Sequence, residues 1–170
     1  MIITTSICAN YLPKAMILAK TVKKHNPKIK VVICLLEDKV PRVASDFLPF
    51  DEIVLAKDLG FENFNKYIFK HSIVEASTSV KGQLFVYMLD KYKDEDKFVY
   101  LDPDIAVYGE LNELDNALDS NDIVLTPHLT HPEDSIDAVM DNELCALQHG
   151  VFNLGFLAIK RSSEGIRFAE

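Results

Sequence analysis

The sequence has few basic residues, few cysteines and no long apolar run, and each shortage excludes a class of protein. Eighteen Lys and Arg stand against 26 Asp and Glu, which gives a formal net charge of -8 and a pI near 5.1. Because binding to a phosphate backbone needs a basic surface, nucleic acid is not an expected partner. No uninterrupted run of about 20 apolar residues is present, so no integral membrane segment is expected.

The cysteines indicate the compartment. Cys8, Cys34 and Cys145 are odd in number, widely spaced and set in apolar runs, which is typical of buried thiols and not of a disulfide framework. The N-terminal apolar stretch has no basic residues before it, unlike a secretory signal. These features predict a cytoplasmic protein.

What is present is typical of an ordinary globular domain. The chain has 170 residues, 48% hydrophobic and 26% charged, with no repeat and no low-complexity linker. Apolar runs predict strands at Ile2–Cys8, Val31–Leu36, Ile53–Leu55, Phe98–Leu101, Ile123–Thr126 and Phe152–Ile159. Amphipathic spacing predicts helices at Leu12–Val22, Phe61–Ser72, Val80–Tyr92, Leu111–Leu118, Ile136–Gln148 and Glu164–Glu170. This alternation favours an α/β domain with a mostly parallel sheet.

Two aspartates one residue apart are the strongest candidate site. Asp102 and Asp104 follow a predicted strand and precede a second strand-like run, Ile105–Tyr108. Ligands of open α/β sheets bind beyond the carboxyl ends of strands, and two carboxylates there can hold a hard cation that neutralises a diphosphate. Asp94 and Asp96 have the same spacing but lie among lysines, which indicates a solvated connection. Alternatively, Asp102 and Asp104 could each have only a structural role, in an Asx-type turn or a helix cap.

Four segments carry a resemblance to a known family. Phe98–Leu111 resembles the metal-binding signature of GT-A-fold glycosyltransferases, especially the family 8-like group that includes glycogenin and bacterial lipopolysaccharide galactosyltransferases. Ser6–Ala15 resembles that family's opening strand and nucleotide-base loop, and Val80–Leu84 stands where a basic residue near the sugar nucleotide is expected. Phe152–Ile159 is similar to the later strand, whose Asn-x-Gly faces the donor sugar and the acceptor.

The resemblance implies a Rossmann-like GT-A nucleotide-diphospho-sugar transferase fold with a mostly parallel central sheet. It further implies a metal-dependent glycosyltransferase that moves a sugar from a nucleotide-sugar donor to a carbohydrate, lipid or protein acceptor. The implied donor is a UDP-sugar. The implied positions are Ala9, Asn10 and Tyr11 for the base, Lys81 for sugar or phosphate, Asn153 and Gly155 for donor sugar and acceptor, and Asp102 and Asp104 for Mn²⁺ or Mg²⁺.

Other interpretations of the same residues stay open. Without the resemblance, Tyr11 could pack on the sheet, Lys81 could be a surface residue, and Asn153 with Gly155 could mark a bulge. A non-catalytic module that binds a nucleotide sugar or a carbohydrate is an alternative function. A phosphotransferase of the haloacid dehalogenase type is a more remote one, because it needs its Asp-x-Asp after the first strand.

Histidines and the C-terminus complete the expectations. His128 and His131 are spaced as metal ligands can be, but their proline-containing flanks favour a loop with locally bonded imidazoles. His149 is expected at a helix C-terminus. Family members usually carry, further along the chain, a metal-binding His and basic residues that close over the diphosphate. We therefore expect residues 1–170 to form one GT-A-like domain truncated at its C-terminus, with weak donor binding and little transfer.

Overall fold

A six-stranded sheet forms the centre of the molecule. The computed structural model describes all residues 1–170. Its strands are β1 (Ile2–Ile7), β2 (Lys30–Leu35), β3 (Glu52–Leu55), β4 (Lys97–Leu101), β5 (Ile123–Pro127) and β6 (Phe152–Lys160). Their order across the sheet is β3-β2-β1-β4-β6-β5. The pairs among β1 to β4 are parallel, whereas β6 runs antiparallel to both β4 and β5.

Helices cover both faces of this sheet. They are α1 (Leu12–His25), α2 (Arg42–Ser45), α3 (Phe64–Ile68), α4 (Ile73–Ser79), α5 (Lys81–Lys91), α6 (Asn112–Ser120), α7 (Ile136–Ala138), α8 (Leu144–His149) and α9 (Ser163–Ala169). A π-helical turn at Val139–Glu143 joins α7 to α8. Short 3₁₀ turns follow β1 at Ala9–Tyr11 and β3 at Ala56–Asp58.

Two hydrophobic cores result from the alternation of side chains along the central strands. One side of β1 and β2 packs against α1, where Leu18 and Val22 are fully buried. The opposite side packs against α5, where Leu84, Phe85 and Met88 are buried. Because the central strands are covered on both faces, they read in the sequence as continuous apolar runs.

The sequence predicts the strands of this architecture well, but the extent or form of two helices differs from the prediction. All six strands are confirmed, with shifts of one residue at some ends. The helix predicted over Phe61–Ser72 is wrong in extent, because only Phe64–Ile68 is helical and a new helix starts after Ser72. The helix predicted over Ile136–Gln148 exists, but it contains the π-helical turn.

Two further expectations need correction. Ile105–Tyr108 forms no strand. Val107 is buried against the α1 side of the core, and its backbone N–H donates to Thr21 Oγ1 at 3.0 Å, so the apolar character of this run serves helix packing and not sheet pairing. Of the three thiols expected to be buried, only Cys34 is; Cys8 is partly exposed and Cys145 is exposed.

No helix combines the length and the apolar character that a membrane-spanning segment requires.

Candidate functional site

A cleft of about 200 Å³ opens at the carboxyl ends of β1 and β4. These strands are adjacent and parallel, so the segments that follow them leave the sheet side by side. These two segments form two walls of the cleft, and α4 forms the third. The lining residues are Ser6, Ile7, Cys8, Asn10, Tyr11, Ile73, Val74, Ser77, Thr78, Tyr100, Asp102, Pro103 and Asp104.

Asp102 and Asp104 lie at the mouth of this cleft because β4 ends immediately before them. The Asp102 N–H donates to the Gly155 carbonyl at 2.7 Å, and the Ile105 N–H donates back to the Asp102 carbonyl at 3.1 Å. The first bond continues the antiparallel β4–β6 pairing by one residue, and the second closes a turn that carries both carboxylates out of the buried strand. The sequence prediction that the pair terminates a buried strand is confirmed.

The two carboxylates have hard oxygen atoms to offer a cation. Lys81 Nζ lies 3.4 Å from Asp102 Oδ1, and Lys14 Nζ lies 3.5 Å from Asp104 Oδ2. Each lysine thus engages one oxygen of its partner at a long distance, and no protein donor is bonded to Asp102 Oδ2. Partly exposed carboxylate oxygens of this kind fit the ligand preference of Mg²⁺ and Mn²⁺, which keep several water ligands. The donor chemistry of the pair therefore fits the implied metal.

No larger metal cluster is present in the chain. The structure brings no three His, Cys, Asp or Glu side chains together in an arrangement that could hold an ion. His128 and His131 lie in the loop after β5, as predicted, and His149 is the last residue of α8.

Lys81 is anchored beside the aspartates by contacts that the sequence did not indicate. It is the first residue of α5, and its Nζ donates to the Leu154 carbonyl at 2.7 Å. The same atom lies 4.1 Å above the centre of the Tyr100 ring. With only 12% of its side chain exposed, Lys81 has a lowered pKa because of burial, which the nearby Asp102 partly opposes. Lys81 thus contacts Asp102 without lining the cleft itself.

The predicted base loop forms the 3₁₀ turn after β1. Asn10 and Tyr11 line the cleft, whereas Ala9 does not. The Ala9 N–H donates to Glu37 Oε1 at 2.7 Å, which fixes the start of the turn. Lys14 Nζ lies 4.4 Å from the centre of the partly exposed Tyr11 ring. Tyr11 therefore lines the cleft near the carboxylates with its ring partly exposed.

Asn153 and Gly155 lie on β6 behind Asp102. The β5–β6 register shifts between Leu125, which pairs with Leu157, and Thr126, which pairs with Asn153. The bulge considered as an alternative therefore exists, and Gly155 lies within it. A Cβ on Gly155 would lie 2.8 Å from Asp102 Oδ2 and 2.9 Å from Asn153 Oδ1, so only glycine lets this carboxylate approach the strand.

Sequence reasoning missed a polar wall of the cleft. Ser6 Oγ donates to the Ser77 carbonyl at 2.5 Å, so the Tyr100 hydroxyl, 3.1 Å away, donates to Ser6 Oγ. Burial above all raises the pKa of Tyr100 to about 12, which keeps that proton in place. The available signal was the capping box of Ser72 and Glu75, which starts α4 and brings Ser77 to this position.

The sequence of the chain matches a known protein family. The family model described as glycosyl transferase family 8 matches residues 2–163. The chain belongs to this family. The predicted resemblance to the family 8-like group is confirmed.

Solved structures of glycosyltransferases have the same fold. The galactosyltransferase LgtC, in complex with donor and acceptor sugar analogues, is 21% identical with a TM-score of 0.59, and the match covers 94% of this chain and 58% of that one. The glycosyltransferase GlyE of Streptococcus pneumoniae TIGR4 is 18% identical with a TM-score of 0.56, over 98% of this chain and 35% of that one. Mouse xyloside xylosyltransferase 1 is 12% identical with a TM-score of 0.56, over 99% of this chain and 71% of that one.

These likenesses confirm the predicted fold class, a Rossmann-like GT-A α/β fold with a mostly parallel sheet. No curated protein matches the chain. The matched region is 58% of the length of the LgtC structure, so the chain spans less than two thirds of that relative.

Proposed function

We propose that this chain is the donor-binding part of a metal-dependent glycosyltransferase that moves a sugar from a UDP-sugar to a carbohydrate, lipid or protein acceptor. The single observation that carries the proposal is the position of Asp102 and Asp104 at the mouth of a cleft that Asn10 and Tyr11 also line. Membership of glycosyl transferase family 8 supports sugar transfer as the reaction.

Asp102 and Asp104 are the proposed ligands of Mn²⁺ or Mg²⁺. When bound there, the cation supplies positive charge against the negative charge that develops on a departing diphosphate. The protein's own contribution is orientation: the Asp102 N–H bond to the Gly155 carbonyl holds Asp102 against β6, and the Ile105 N–H bond to the Asp102 carbonyl closes the turn that presents both carboxylates. Lys14 and Lys81 keep these carboxylates paired with a positive charge.

The remaining site residues are proposed to contact different parts of the donor. Asn10 and Tyr11 are proposed to hold the uracil base, Tyr11 by stacking through its exposed ring. The Ala9 N–H is bonded to Glu37, so Ala9 contributes through the shape of the turn. Asn153 and Gly155 are proposed to face the donor sugar and the acceptor, and Lys81 to approach the sugar or a phosphate, since they border Asp102.

A non-catalytic module that binds a nucleotide sugar would use the same cleft. Turnover separates the two functions: an enzyme releases the nucleoside diphosphate with time, whereas a binding module saturates with donor and releases none. The phosphotransferase alternative loses its basis, because the aspartate pair follows β4 and the family is glycosyl transferase family 8.

The test is a titration of nucleoside diphosphates with and without Mn²⁺. Uridine diphosphate should raise the thermal midpoint only when Mn²⁺ is present, because a ligand that binds the native state stabilises it. Asp102→Ala and Asp104→Ala should abolish that shift. The matched controls, Asp94→Ala and Asp96→Ala, have the same Asp-x-Asp spacing in a different place and should keep it.

Either of two results contradicts the proposal. One is an equal loss of the shift in the control pair. The other is stronger binding of guanosine or cytidine diphosphate than of uridine diphosphate, which would refute the assignment of the base. The cytoplasmic location and the extent of the domain over residues 1–170 stay predictions.

A further inference from the structure

The helical segment between β5 and β6 lies outside both hydrophobic cores. It consists of α7, the π-helical turn and α8, and none of its residues from Ile136 to His149 is buried. A helix of this length is marginally stable in water by itself, and surface helices of globular proteins ordinarily bury an apolar stripe. This segment buries none, although it has such a stripe.

The stripe is exposed and continuous with the start of β6. Ile136, Met140, Leu144 and Leu147 follow one another at spacings of four, four and three, which places them along one side of the segment. Ile136 is 81% exposed and Leu147 is 72% exposed. The apolar helix face, as we call this surface, comprises those four residues with Val151 and Phe152. It borders a groove of about 480 Å³ beside the loop after β5.

Charge distinguishes the surroundings of this face. From Phe98 to Ile159 the chain contains no Lys and no Arg in 62 residues, but it contains twelve Asp and Glu. Five of these acids lie between residues 133 and 143, and none of the five forms an ion pair with any basic group of the protein. They are Glu133, Asp134, Asp137, Asp141 and Glu143. Asp137 and Asp141 directly follow Ile136 and Met140 in the chain, and Glu143 lines the same groove as Leu147. The apolar helix face therefore has an acidic border whose carboxylates form no ion pair within residues 1–170.

From this combination we infer that the apolar helix face is a docking surface for a basic amphipathic polypeptide. Apolar side chains of the partner would cover the stripe, and its Lys and Arg would meet the five unpaired acids. A symmetric contact with a second copy would bring two acidic borders together, and an anionic membrane would be repelled in the same way. The inference does not depend on the proposed donor site.

The test uses the 170-residue chain and a synthetic probe. The probe is a labelled peptide of about 18 residues with Leu at helical spacing and Lys elsewhere, and its binding is followed by fluorescence anisotropy. A second peptide has the same Leu pattern with Glu in place of Lys, and a third has the first composition scrambled so that the stripe is lost. We expect saturable one-to-one binding of the first peptide and much weaker binding of the other two.

Matched variants locate the binding. The double variant Met140→Gln with Leu147→Gln should weaken binding about tenfold, since amphipathic helices bind through apolar contacts at helical spacing. Asp137→Asn with Asp141→Asn should weaken it most at low salt. Leu48→Gln changes another leucine, 94% exposed and outside the face, and should leave binding unchanged. All these side chains are exposed, so the variants should keep the thermal midpoint.

Four results would overturn the inference. They are equal weakening by Leu48→Gln, equal binding of the Glu peptide, self-association of the chain that Leu147→Gln abolishes, and sedimentation with phosphatidylcholine or phosphatidylserine vesicles that the same substitution abolishes.

Discussion

The first 97 residues and the following 62 form one sheet but differ in charge and burial. Residues 1–97 carry fifteen Lys and Arg with twelve Asp and Glu, whereas residues 98–159 carry no Lys or Arg at all. Strands β1 and β2 are almost wholly buried, whereas β5 has no buried residue and β6 starts with three exposed ones. Residues 1–97 thus supply most of the buried core, whereas residues 98–159 add the buried strand β4 and the inner end of β6 but leave β5 and the start of β6 without a buried residue.

The proposed donor site lies on the boundary between these regions. Lys14 and Lys81 come from the first region, Asp102 and Asp104 from the second, and the two lysine–aspartate contacts join them. The site therefore combines a base in the buried strands β1 and β4 with an acidic mouth.

The largest expected effect comes from matched leucine substitutions in the two regions. Leu84 on α5 is fully buried, whereas Leu147 on α8 is exposed. Leu84→Ala leaves a cavity and should lower the free energy of unfolding by about 2–5 kcal/mol, and Leu147→Ala should change it by less than about 0.5 kcal/mol. Urea denaturation measures both. Similar losses of unfolding free energy in the two variants would show that α8 is packed in the core, and would contradict the contrast in burial between the two regions.

The same contrast explains what the sequence could predict. Buried strands such as β1 and β4 are visible as apolar runs, and the acidic pair is visible because it interrupts one. The direction of β6 depends on how the chain crosses the sheet, which no local pattern encodes. Ile105–Tyr108 has the composition of a strand, but its partner is α1, and composition does not identify the partner.

The placement of the candidate site was more predictable than its contacts. Asp102, Asp104, Asn10 and Tyr11 reach the cleft as the motifs implied. The contact of Lys81 with the Leu154 carbonyl joins residues 73 positions apart, so it is a tertiary feature without a local signal.

A glycine substitution tests how closely the regions meet at the site. Gly155→Ala would place a methyl group 2.8 Å from Asp102 Oδ2 and should displace that carboxylate. We expect a loss of about 1–3 kcal/mol in unfolding free energy together with loss of Mn²⁺-dependent nucleotide binding. Gly109→Ala is the control, because nothing lies within 4 Å of its Cβ position. Retention of binding in Gly155→Ala would mean that the Asp102 carboxylate does not need its present position.

Acid is expected to have a smaller effect on the free energy of unfolding, through Glu52 in the first region. Burial alone would raise the pKa of Glu52, but hydrogen bonds from Lys91, Tyr92 and Tyr87 outweigh it, so the pKa is lower than the ordinary 4.5. A carboxyl with a lowered folded-state pKa stabilises the protein above its unfolded pKa, and this stabilisation is lost as the pH falls through the folded value. Unfolding free energy should thus decrease below about pH 4.5 in the native chain.

The variant Glu52→Gln removes that titration. Its unfolding free energy should be lower than that of the native chain at pH 7, and the difference should narrow as the pH falls from 5 to 3. A difference that stays constant over this range would contradict the lowered pKa.

The most direct test of the donor site is the paramagnetic effect of Mn²⁺ on the amide spectrum of the ¹⁵N-labelled chain with uridine diphosphate. Bound Mn²⁺ broadens nearby signals, so substoichiometric addition reports the place of binding. The account predicts that the amides of Asp102, Asp104 and Gly155 broaden first, followed by those of Asn10 and Tyr11. First broadening at Asp94 and Asp96, or in the acidic segment around Asp137 and Asp141, would contradict it.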